Sequence, residues 1–213
     1  MTVDKRSAGH GSVPPHRLLP SRHEAELSRR SREVLDQLED LYLVEGFAKF
    51  TVRDLAARLR TSLRTLYDIA PSKQELVLVV IDRFLHRVGR TALATINPDA
   101  PVGERIRAYF RGGAELQRWT RAFAADAVGM PEMLRLLDSH FAYVSAVVER
   151  LVEEGVATGE MKPVDPAVAA AVLSGAASHV TRAPTGTPPG SADAIDQLID
   201  IVLHGLAAEA PPQ

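Results

Sequence analysis

The side chains that could perform catalysis or bind a metal do not form a recognisable pattern in this sequence. The 213 residues include no cysteine, which excludes disulfides, thiolate metal ligands and cysteine nucleophiles. The seven histidines include no pair four residues apart and no His-Glu-x-x-His motif, so we predict no metal site. No Gly-x-Ser-x-Gly motif or phosphate-binding glycine loop occurs, and the adjacent Glu153 and Glu154 read as solvated carboxylates at a helix end. These absences argue against an enzyme and against a cofactor.

Basic residues, in contrast, are concentrated in one stretch. Residues 47–73 contain six Lys/Arg and two Asp/Glu. Residues 1–90 contain 16 Lys/Arg and 12 Asp/Glu, a charge of +4, whereas residues 91–213 contain 9 and 15, a charge of −6, which together give the net −2. A basic N-terminal part joined to an acidic remainder favours a module that binds a polyanion and a separate body.

The elements that carry these residues are predicted to be helical. Hydrophobic residues make up 46% of the chain and charged residues 24%, which is typical of a soluble globular protein, and no alternating strand pattern occurs. The longest apolar run, near residues 76–81, is too short to span a bilayer, and no signal peptide is evident, so we expect a cytoplasmic protein. The predicted fold is all-α, with about nine helices. We place them near residues 27–46, 51–59, 62–68, 72–94, 102–119, 120–128, 132–156, 165–182 and 191–208.

Three segments are predicted along the chain. Residues 1–22, rich in Gly, Pro and Ser without apolar periodicity, are expected to be a disordered arm. Residues 23–71, which contain most of the basic stretch, are expected to form the polyanion-binding module. Residues 72–213 are expected to form a separate C-terminal helical domain.

Two short helices joined by a tight turn at Arg60-Thr61 are typical of a helix-turn-helix, whose second helix reads bases in the major groove. Arg64 has the reach to bind a guanine edge, and Leu63 or Thr65 to touch a thymine methyl. Hydroxyl, phenol and ammonium groups on the flanks usually contact phosphate, and Arg58 and other nearby arginines add positive field. Arg22, Arg29, Arg30 and Arg32 are candidates to extend that field. The predicted DNA-binding residues are Thr51, Arg53, Arg60, Ser62, Leu63, Arg64, Thr65, Tyr67 and Lys73.

Two other interpretations of the same pattern remain open at this point. A charged helix is most often simply solvated, and a bare helix-turn-helix pattern has many false matches. Leu63, three residues before Leu66, is also compatible with a place in the core.

From Arg32 to Leu76 the sequence resembles the TetR family of transcriptional regulators. The most specific signal is Leu-Tyr, five residues, Lys, two residues, Leu. The resemblance implies a homodimer that binds a palindromic operator, usually as a repressor, with a variable C-terminal domain that often binds a small molecule. It also implies phosphate contacts by Thr51, Tyr67 and Lys73, with Ser62 to Thr65 near the bases. The matching residues are Gly46-Phe47, Thr51, Asp54-Leu55-Ala56, Ser62, Thr65-Leu66-Tyr67 and Ser72-Lys73-Gln74-Glu75-Leu76.

The sequence departs from the family pattern at two places. The family usually has glycine at the turn, where this chain has Arg60, and a left-handed non-glycine residue there costs about 1–2 kcal/mol. After Tyr67 the family usually has an aromatic pair, where this chain has Ile69-Ala70. Packing beneath the reading helix is therefore expected to be lighter.

The C-terminal part is predicted to dimerise and to hold an effector. Small residues crowd the segment 165–180, and with Ile195, Leu198, Ile199, Val202 and Leu206 they are candidates for a four-helix interface between two copies; packing within one chain is the alternative. Aromatic and methionine residues at helical spacing belong more often to a hydrophobic core than to a ligand site. We predict that some of them contact a small apolar or aromatic effector. The predicted pocket residues are Tyr109, Phe110, Phe123, Met133, Phe141 and His179, with Trp119, Met130, His140 and Tyr143 as further candidates.

We therefore predict a TetR-like DNA-binding transcriptional regulator, a repressor by that resemblance, that binds a palindromic operator as a dimer and is released by a small-molecule effector. Residues 23–71 would be its DNA-binding domain, and residues 72–213 its C-terminal domain for dimerisation and effector binding. A second function class fits the same charge pattern. The alternative is a helical adaptor that senses no ligand and whose basic patch binds an acidic protein.

Overall fold

The chain is all-α in the part that the computed structural model describes, residues 13–182 and 193–207. Within these residues no strand forms, and the only β-type pairing is an isolated bridge between Met161 and Ala207. The predicted fold class is therefore confirmed. The elements are α1 (Ser21–Glu26), α2 (Arg29–Glu45), α3 (Val52–Arg58), α4 (Leu63–Ile69), α5 (Lys73–Ala94), α6 (Val102–Gly112), a 3₁₀ helix (Ala114–Arg118), α7 (Arg121–Val128), α8 (Pro131–Thr158), α9 (Pro166–Arg182) and α10 (Ala194–Leu206).

The N-terminal segment differs from the prediction in its second half. Residues 1–12 lie outside the described residues, but Leu19 is only 3% exposed and α1 follows it, so residues 13–22 are ordered. The backbone N–H of Leu18 also donates to Asp82 on α5 at 2.9 Å. The composition of the segment gave no sign of these contacts, which are the burial of Leu19, the Leu18 hydrogen bond to Asp82 and an ion pair of Arg17 with Glu24. As a result, α1 is a helix that the sequence did not predict.

The helix predicted over residues 102–119 is interrupted. α6 ends at Gly112, and the chain continues as the short 3₁₀ helix. Glycine has low helix propensity, and two successive glycines end the helix here. Gly112 also permits a close approach to α5, because a Cβ at this position would lie 2.6 Å from the Cα of Ala92. The predicted break at residues 183–190 lies outside the described residues.

Two hydrophobic clusters hold the helices together. The first contains buried side chains of α2, α3, α4 and α5 and extends to Trp119, to Phe123 on α7 and to Met133 on α8. The second lies between α6, the C-terminal part of α8, α9 and α10. The first cluster therefore joins the predicted DNA-binding domain to the start of the C-terminal part, and the second belongs to the C-terminal part alone.

A polar joint connects the end of α2 to α7. Gly46 has φ 75° and ψ −178°, a conformation that is essentially restricted to glycine. The Asp126 carboxylate accepts hydrogen bonds from the backbone N–H groups of Phe47 (2.6 Å) and Ala48 (2.7 Å). A Cβ on Gly46 would lie 2.4 Å from the same carboxylate oxygen. Only glycine thus lets α7 approach this turn.

Candidate nucleic-acid interface

Helix α3 begins at a complete capping box. The Thr51 hydroxyl accepts from the backbone N–H of Asp54 at 3.2 Å and donates to the Asp54 carboxylate at 2.7 Å, which also accepts from the Thr51 backbone N–H at 2.8 Å. Two hydrogen bonds lower the pKa of Asp54 below its usual value. The larger cause is the bond from the Thr51 hydroxyl, and the next is the bond from the Thr51 backbone N–H. The carboxylate satisfies donors that would otherwise be unpaired at a helix start. The predicted start of α3, the first helix of the helix-turn-helix, is confirmed.

The turn between α3 and α4 is a Schellman motif. The backbone N–H of Thr61 bonds to the carbonyl of Ala56 at 2.9 Å, and that of Arg60 to the carbonyl of Ala57 at 3.2 Å. This motif places its next-to-last residue in the left-handed region, usually as glycine. Arg60 occupies that position with φ 49°. The conformation that was left open from sequence is therefore left-handed, with its cost of about 1–2 kcal/mol.

Arg30 on α2 stabilises the same turn, a role that the sequence did not suggest. Its guanidinium Nη2 donates to the carbonyl oxygens of Leu59 (2.6 Å) and Arg60 (3.1 Å). Charged donors make stronger hydrogen bonds than neutral ones, so the clamp offsets part of the strain at Arg60. Arg30 thus positions the turn instead of extending the positive field.

Helix α4 presents its first turn to solvent. Ser62 caps it by accepting from the backbone N–H of Thr65 at 3.0 Å, while Leu66 and Ile69 are buried beneath the helix. Leu63 is 39% exposed and Tyr67 is 50% exposed. Leu63 is therefore a surface residue at the helix start, which leaves it available to a base and rules out its place in the core.

The arginines of the region divide into paired and unpaired groups. Among the described residues, Arg53 and Arg64 are exposed and make no ion pair or hydrogen bond through their side chains. Arg58, predicted to supply positive field, instead pairs with Glu45 on α2. The arginines nearer the N-terminus are likewise engaged within the chain. Arg22 pairs with Glu26, Arg29 with Glu33, and Arg32 donates to the carbonyl of Ala25.

Lys73 lies at the start of the long helix α5, directly after the reading unit, which consists of α3, the Arg60 turn and α4. Ser72 caps α5 by accepting from the backbone N–H of Glu75 at 3.1 Å, and its hydroxyl donates to the Glu75 carboxylate at 3.2 Å. The Lys73 ammonium donates to the carbonyl of Ala48 at 2.9 Å and has two further N–H groups. It is therefore anchored beside α3 while still able to donate to a phosphate.

The predicted pocket residues separate into two groups. Tyr109, Phe110 and Phe141 line one cavity of about 80 Å³ between α5, α6, α8 and α9, together with His140 and Tyr143. Phe123 and Met133 do not, because both are buried in the first hydrophobic cluster. His179 does not either, because it is exposed on α9. Sequence periodicity placed these three correctly on helices but could not tell which cluster or face they join.

Comparisons with known proteins agree with this geometry. Residues 34–80 match the family model described as "Bacterial regulatory proteins, tetR family". A tetR-family regulatory protein from Rhodococcus RHA1 superposes with a TM-score of 0.65 at 18% identity, covering 86% of this chain and 100% of that one. A transcriptional regulator from Saccharomonospora viridis in complex with choline gives 0.67 at 18%, covering 84% and 98%. SmeT in complex with triclosan gives 0.66 at 15%, covering 87% and 100%. No curated protein sequence gives a significant match.

The helix-turn-helix and its match define a DNA-binding transcriptional regulator. Residues 34–80 are identified as the N-terminal domain found in tetR-family regulatory proteins, and the described chain has a fold similar to that of TetR-family regulators. Members of this family regulate transcription and are not enzymes. Among the described residues, no helix has the length and apolarity needed to cross a membrane.

Proposed function

We propose that this protein is a homodimeric repressor that binds a palindromic operator and leaves it when a small molecule enters the C-terminal cavity. The observation that carries the proposal is the first turn of α4, where Leu63 and Arg64 are exposed and Arg64 is unpaired within the described residues. A helix that presents its first turn in this way fits the major groove. Arg64 is the candidate base reader, since guanine offers two acceptors to an arginine.

The remaining predicted contacts suit the phosphate backbone. Arg53 is exposed on α3, Tyr67 extends from α4, and Lys73 lies at the start of α5. Thr51 and Ser62 cap α3 and α4 by accepting from backbone N–H groups at the helix starts. Their first role is therefore to orient the two short helices, and a phosphate contact would come in addition to it. Arg60 faces solvent at the turn, where a phosphate contact would compensate for its strained backbone.

The second copy is expected to dock on an exposed face of α9 and α10. Val168 and Val172 on α9 and Ile201 on α10 are 61%, 52% and 75% exposed, and the exposed Gly175 follows Val168 and Val172 at helical spacing on α9. Exposed apolar side chains grouped on neighbouring helices are typical of an interface. Ile195 and Ile199, which we predicted to face the partner, are buried within the chain, so the interface would use the opposite side of α10.

The cavity suits an apolar effector with one hydrogen-bonding group. Its walls are mainly aromatic and aliphatic, but the Ser174 hydroxyl is buried there with no hydrogen-bond partner in the described residues, and His140 adds a second polar group. Two structures of similar fold contain choline and triclosan, and these ligands are properties of those proteins. An effector bound here would satisfy the Ser174 hydroxyl.

The size of the cavity suggests how an effector would release DNA. It holds about 80 Å³, whereas sites for drug-sized ligands usually hold about 300–1,000 Å³. Such an effector must therefore separate the surrounding helices. α5 forms one wall with Leu85, Val88 and Gly89 and begins beside the reading unit at Lys73. Displacement of α5 would move the two reading helices of a dimer out of the spacing that successive major grooves require.

The test begins with selection of bound fragments from random DNA by the purified protein, which yields an operator for mobility-shift titration. Arg64→Ala should cost about 1–3 kcal/mol in operator binding and relax the preference at one position. Arg150→Ala, an exposed arginine on α8, is the matched control and should bind like wild type. Recovery of no enriched sequence, or wild-type affinity and preference in Arg64→Ala, would contradict the proposed reading helix.

The effector part has a separate test. A metabolite panel is screened by thermal shift, and each ligand that raises the melting temperature is added to the operator complex. Ser174→Ala should weaken binding of the ligand that releases DNA while leaving operator affinity unchanged. If no ligand shifts the melting temperature, the protein is not a sensor of this kind, and the adaptor alternative is tested by binding to acidic proteins.

A further inference from the structure

Three side chains converge where α5 crosses α8, beside the cavity. Asp82 and His86 are four residues apart on α5, so they lie on one face of that helix, and His140 faces them from α8. The Asp82 Oδ1 atom lies 3.1 Å from Nε2 of His140 and 3.4 Å from Nε2 of His86. One potential ligand atom from each residue lies within 4.8 Å of the other two.

All three groups are removed from solvent. The side chains of Asp82, His86 and His140 are 1%, 9% and 10% exposed. His140 is within hydrogen-bond distance of Asp82, but the buried Nε2 atom of His86 has no hydrogen-bond partner in the described residues. A buried polar atom without a partner is costly, commonly about 1–3 kcal/mol. The cluster is therefore incomplete as a hydrogen-bond network, with the unpartnered His86 Nε2 atom 3.4 Å from Asp82 Oδ1.

We propose that Asp82, His86 and His140 bind a divalent first-row transition-metal ion, with Zn²⁺ as the ion to test first. Zinc bonds of about 2.0–2.1 Å to nitrogen and oxygen imply ligand atoms about 3.3 Å apart in a tetrahedral site. The two distances from Asp82 match this spacing. The three potential ligand atoms lie within 4.8 Å of one another, so binding of the ion would require the imidazole rings to reorient until the histidine nitrogens also reach this spacing. Both rings bind through the Nε2 lone pair, with the proton on Nδ1.

The chemistry of the donors selects the class of ion. Two imidazoles and one carboxylate suit Zn²⁺, Co²⁺ or Ni²⁺, whereas Mg²⁺ and Ca²⁺ prefer oxygen ligands alone. The backbone N–H of Leu18 donates to the second Asp82 oxygen at 2.9 Å, and such outer contacts orient a metal-bound carboxylate. Three protein ligands leave a coordination position for water, and His140 also lines the cavity.

A bound ion would cross-link α5 and α8. This inference does not depend on DNA binding, because the ligands and the test concern the ion alone. The sequence concealed the site because its two histidines are far apart along the chain and the i, i+4 partner of His86 is an aspartate.

In the experiment, the full chain is first treated with a chelator, the chelator is removed, and Co²⁺ or Zn²⁺ is then titrated in. We expect one Co²⁺ per chain, with the visible absorption of a low-symmetry site of nitrogen and oxygen ligands, and its displacement by Zn²⁺. Calorimetry should give the same stoichiometry for Zn²⁺ and no comparable binding of Mg²⁺. Bound Zn²⁺ should raise the melting temperature, because the ion binds only the folded chain.

The variants His86→Gln, His140→Gln and Asp82→Asn keep the approximate side-chain size. Each should weaken Zn²⁺ binding at least about tenfold, since changes even to outer contacts cost about 10–100-fold. His23→Ala, an exposed histidine on α1, is the control and should bind like wild type. Circular dichroism checks that each variant is folded. No Co²⁺ or Zn²⁺ binding by wild type, or unchanged affinity and spectrum in folded His86→Gln and His140→Gln, would overturn the proposal.

Discussion

The bonds that shape the two DNA-reading helices, α3 and α4, and those that shape the C-terminal body, α5 to α10, span different separations along the chain. In α3 and α4 the caps and the turn are formed by bonds between residues three to five positions apart, such as Thr51 with Asp54 and Ala56 with Thr61, and Arg30 on α2 adds one distant clamp. In the body, the cavity and the cluster of Asp82, His86 and His140 join residues from α5 to α9. The DNA-binding geometry is therefore mainly local, whereas the sensing geometry depends on helix packing.

This difference also explains how the two regions can communicate. The bonds that shape α3 and α4 are distinct from the contacts that join the N-terminal helices to the body. Those contacts are the Asp126 joint on α7, the hydrogen bonds from Thr120 to Leu43 and Val44, and the first hydrophobic cluster. A change in body packing can therefore move the unit as a whole without altering its shape.

The largest effect is expected at the dimer face of the body. The double variant Val172→Glu, Ile201→Glu places two charges on the exposed apolar face and should yield a monomer in sedimentation velocity. Loss of the second reading unit should weaken operator binding by about 10²–10⁴-fold, because the linked contacts are lost. Val128→Glu alters an apolar residue of similar exposure on α7 and is the control. A dimeric double variant would mean that the copies meet elsewhere.

The joint between the two regions should be sensitive to one methyl group. Gly46→Ala forces a residue with a side chain into a positive-φ conformation and against Asp126, so we expect a loss of about 2–3 kcal/mol in the free energy of unfolding. Gly89→Ala, in the interior of α5 with no atom near its new Cβ, should instead stabilise by about 0.5–1 kcal/mol. Chemical denaturation measures both. Equal stability of Gly46→Ala and wild type would show that the joint is not as tight as described.

Two variants at Arg60 should distinguish the effect of backbone strain from that of a DNA contact. Arg60→Gly relieves the left-handed strain but adds flexibility to the unfolded chain, which leaves a net gain of about 0.5–1 kcal/mol. Arg60→Ala removes the same guanidinium and keeps the strain. If Arg60 contacts phosphate, both variants should reduce the slope of log affinity against log salt by about 0.9, and only the glycine variant should be more stable. An unchanged slope in both would remove Arg60 from the interface.

The smallest effect is expected at the α3 cap. Because the folded-state pKa of Asp54 is lowered, its stabilising contribution is present above the ordinary value of 3.8 and is lost as the pH falls through the folded-state value. Thr51→Val removes the hydroxyl that is the first cause of the shift, so the pKa of Asp54 should rise toward its ordinary value. An NMR titration of the carboxyl group measures it, and an unchanged pKa in the variant would contradict the cap as the cause.

Much of the reading unit was predictable because its signals are short. Thr51, Ser62 and Ser72 each cap a helix at the predicted place, and the long helix after Ser72 ends at Ala94 as expected. Caps depend on residues three positions away, so a single sequence contains the information. The specific contacts to DNA of the residues from Thr51 to Lys73 remain predictions.

The body was predictable only as a set of helices. Phe123 and Phe141 are both aromatic residues on apolar helix faces, yet one is core and the other lines the cavity. Hydrophobic periodicity identifies a buried face but not the partner that covers it. For the same reason the sequence left open whether Ile199 faces a second copy or packs within its own chain, as it does, and it gave no sign that His86 meets His140.

The sequence by itself determined the helix-turn-helix, its caps and its family, because these depend on residue types at fixed short spacings. Helix packing, in contrast, sets the clamp of the Arg60 turn by Arg30, the joint of Gly46 with Asp126, and the grouping of Asp82, His86 and His140. Each of these depends on the angle and distance at which two helices pack. Many side chains set that packing together, and no short stretch of the chain specifies it.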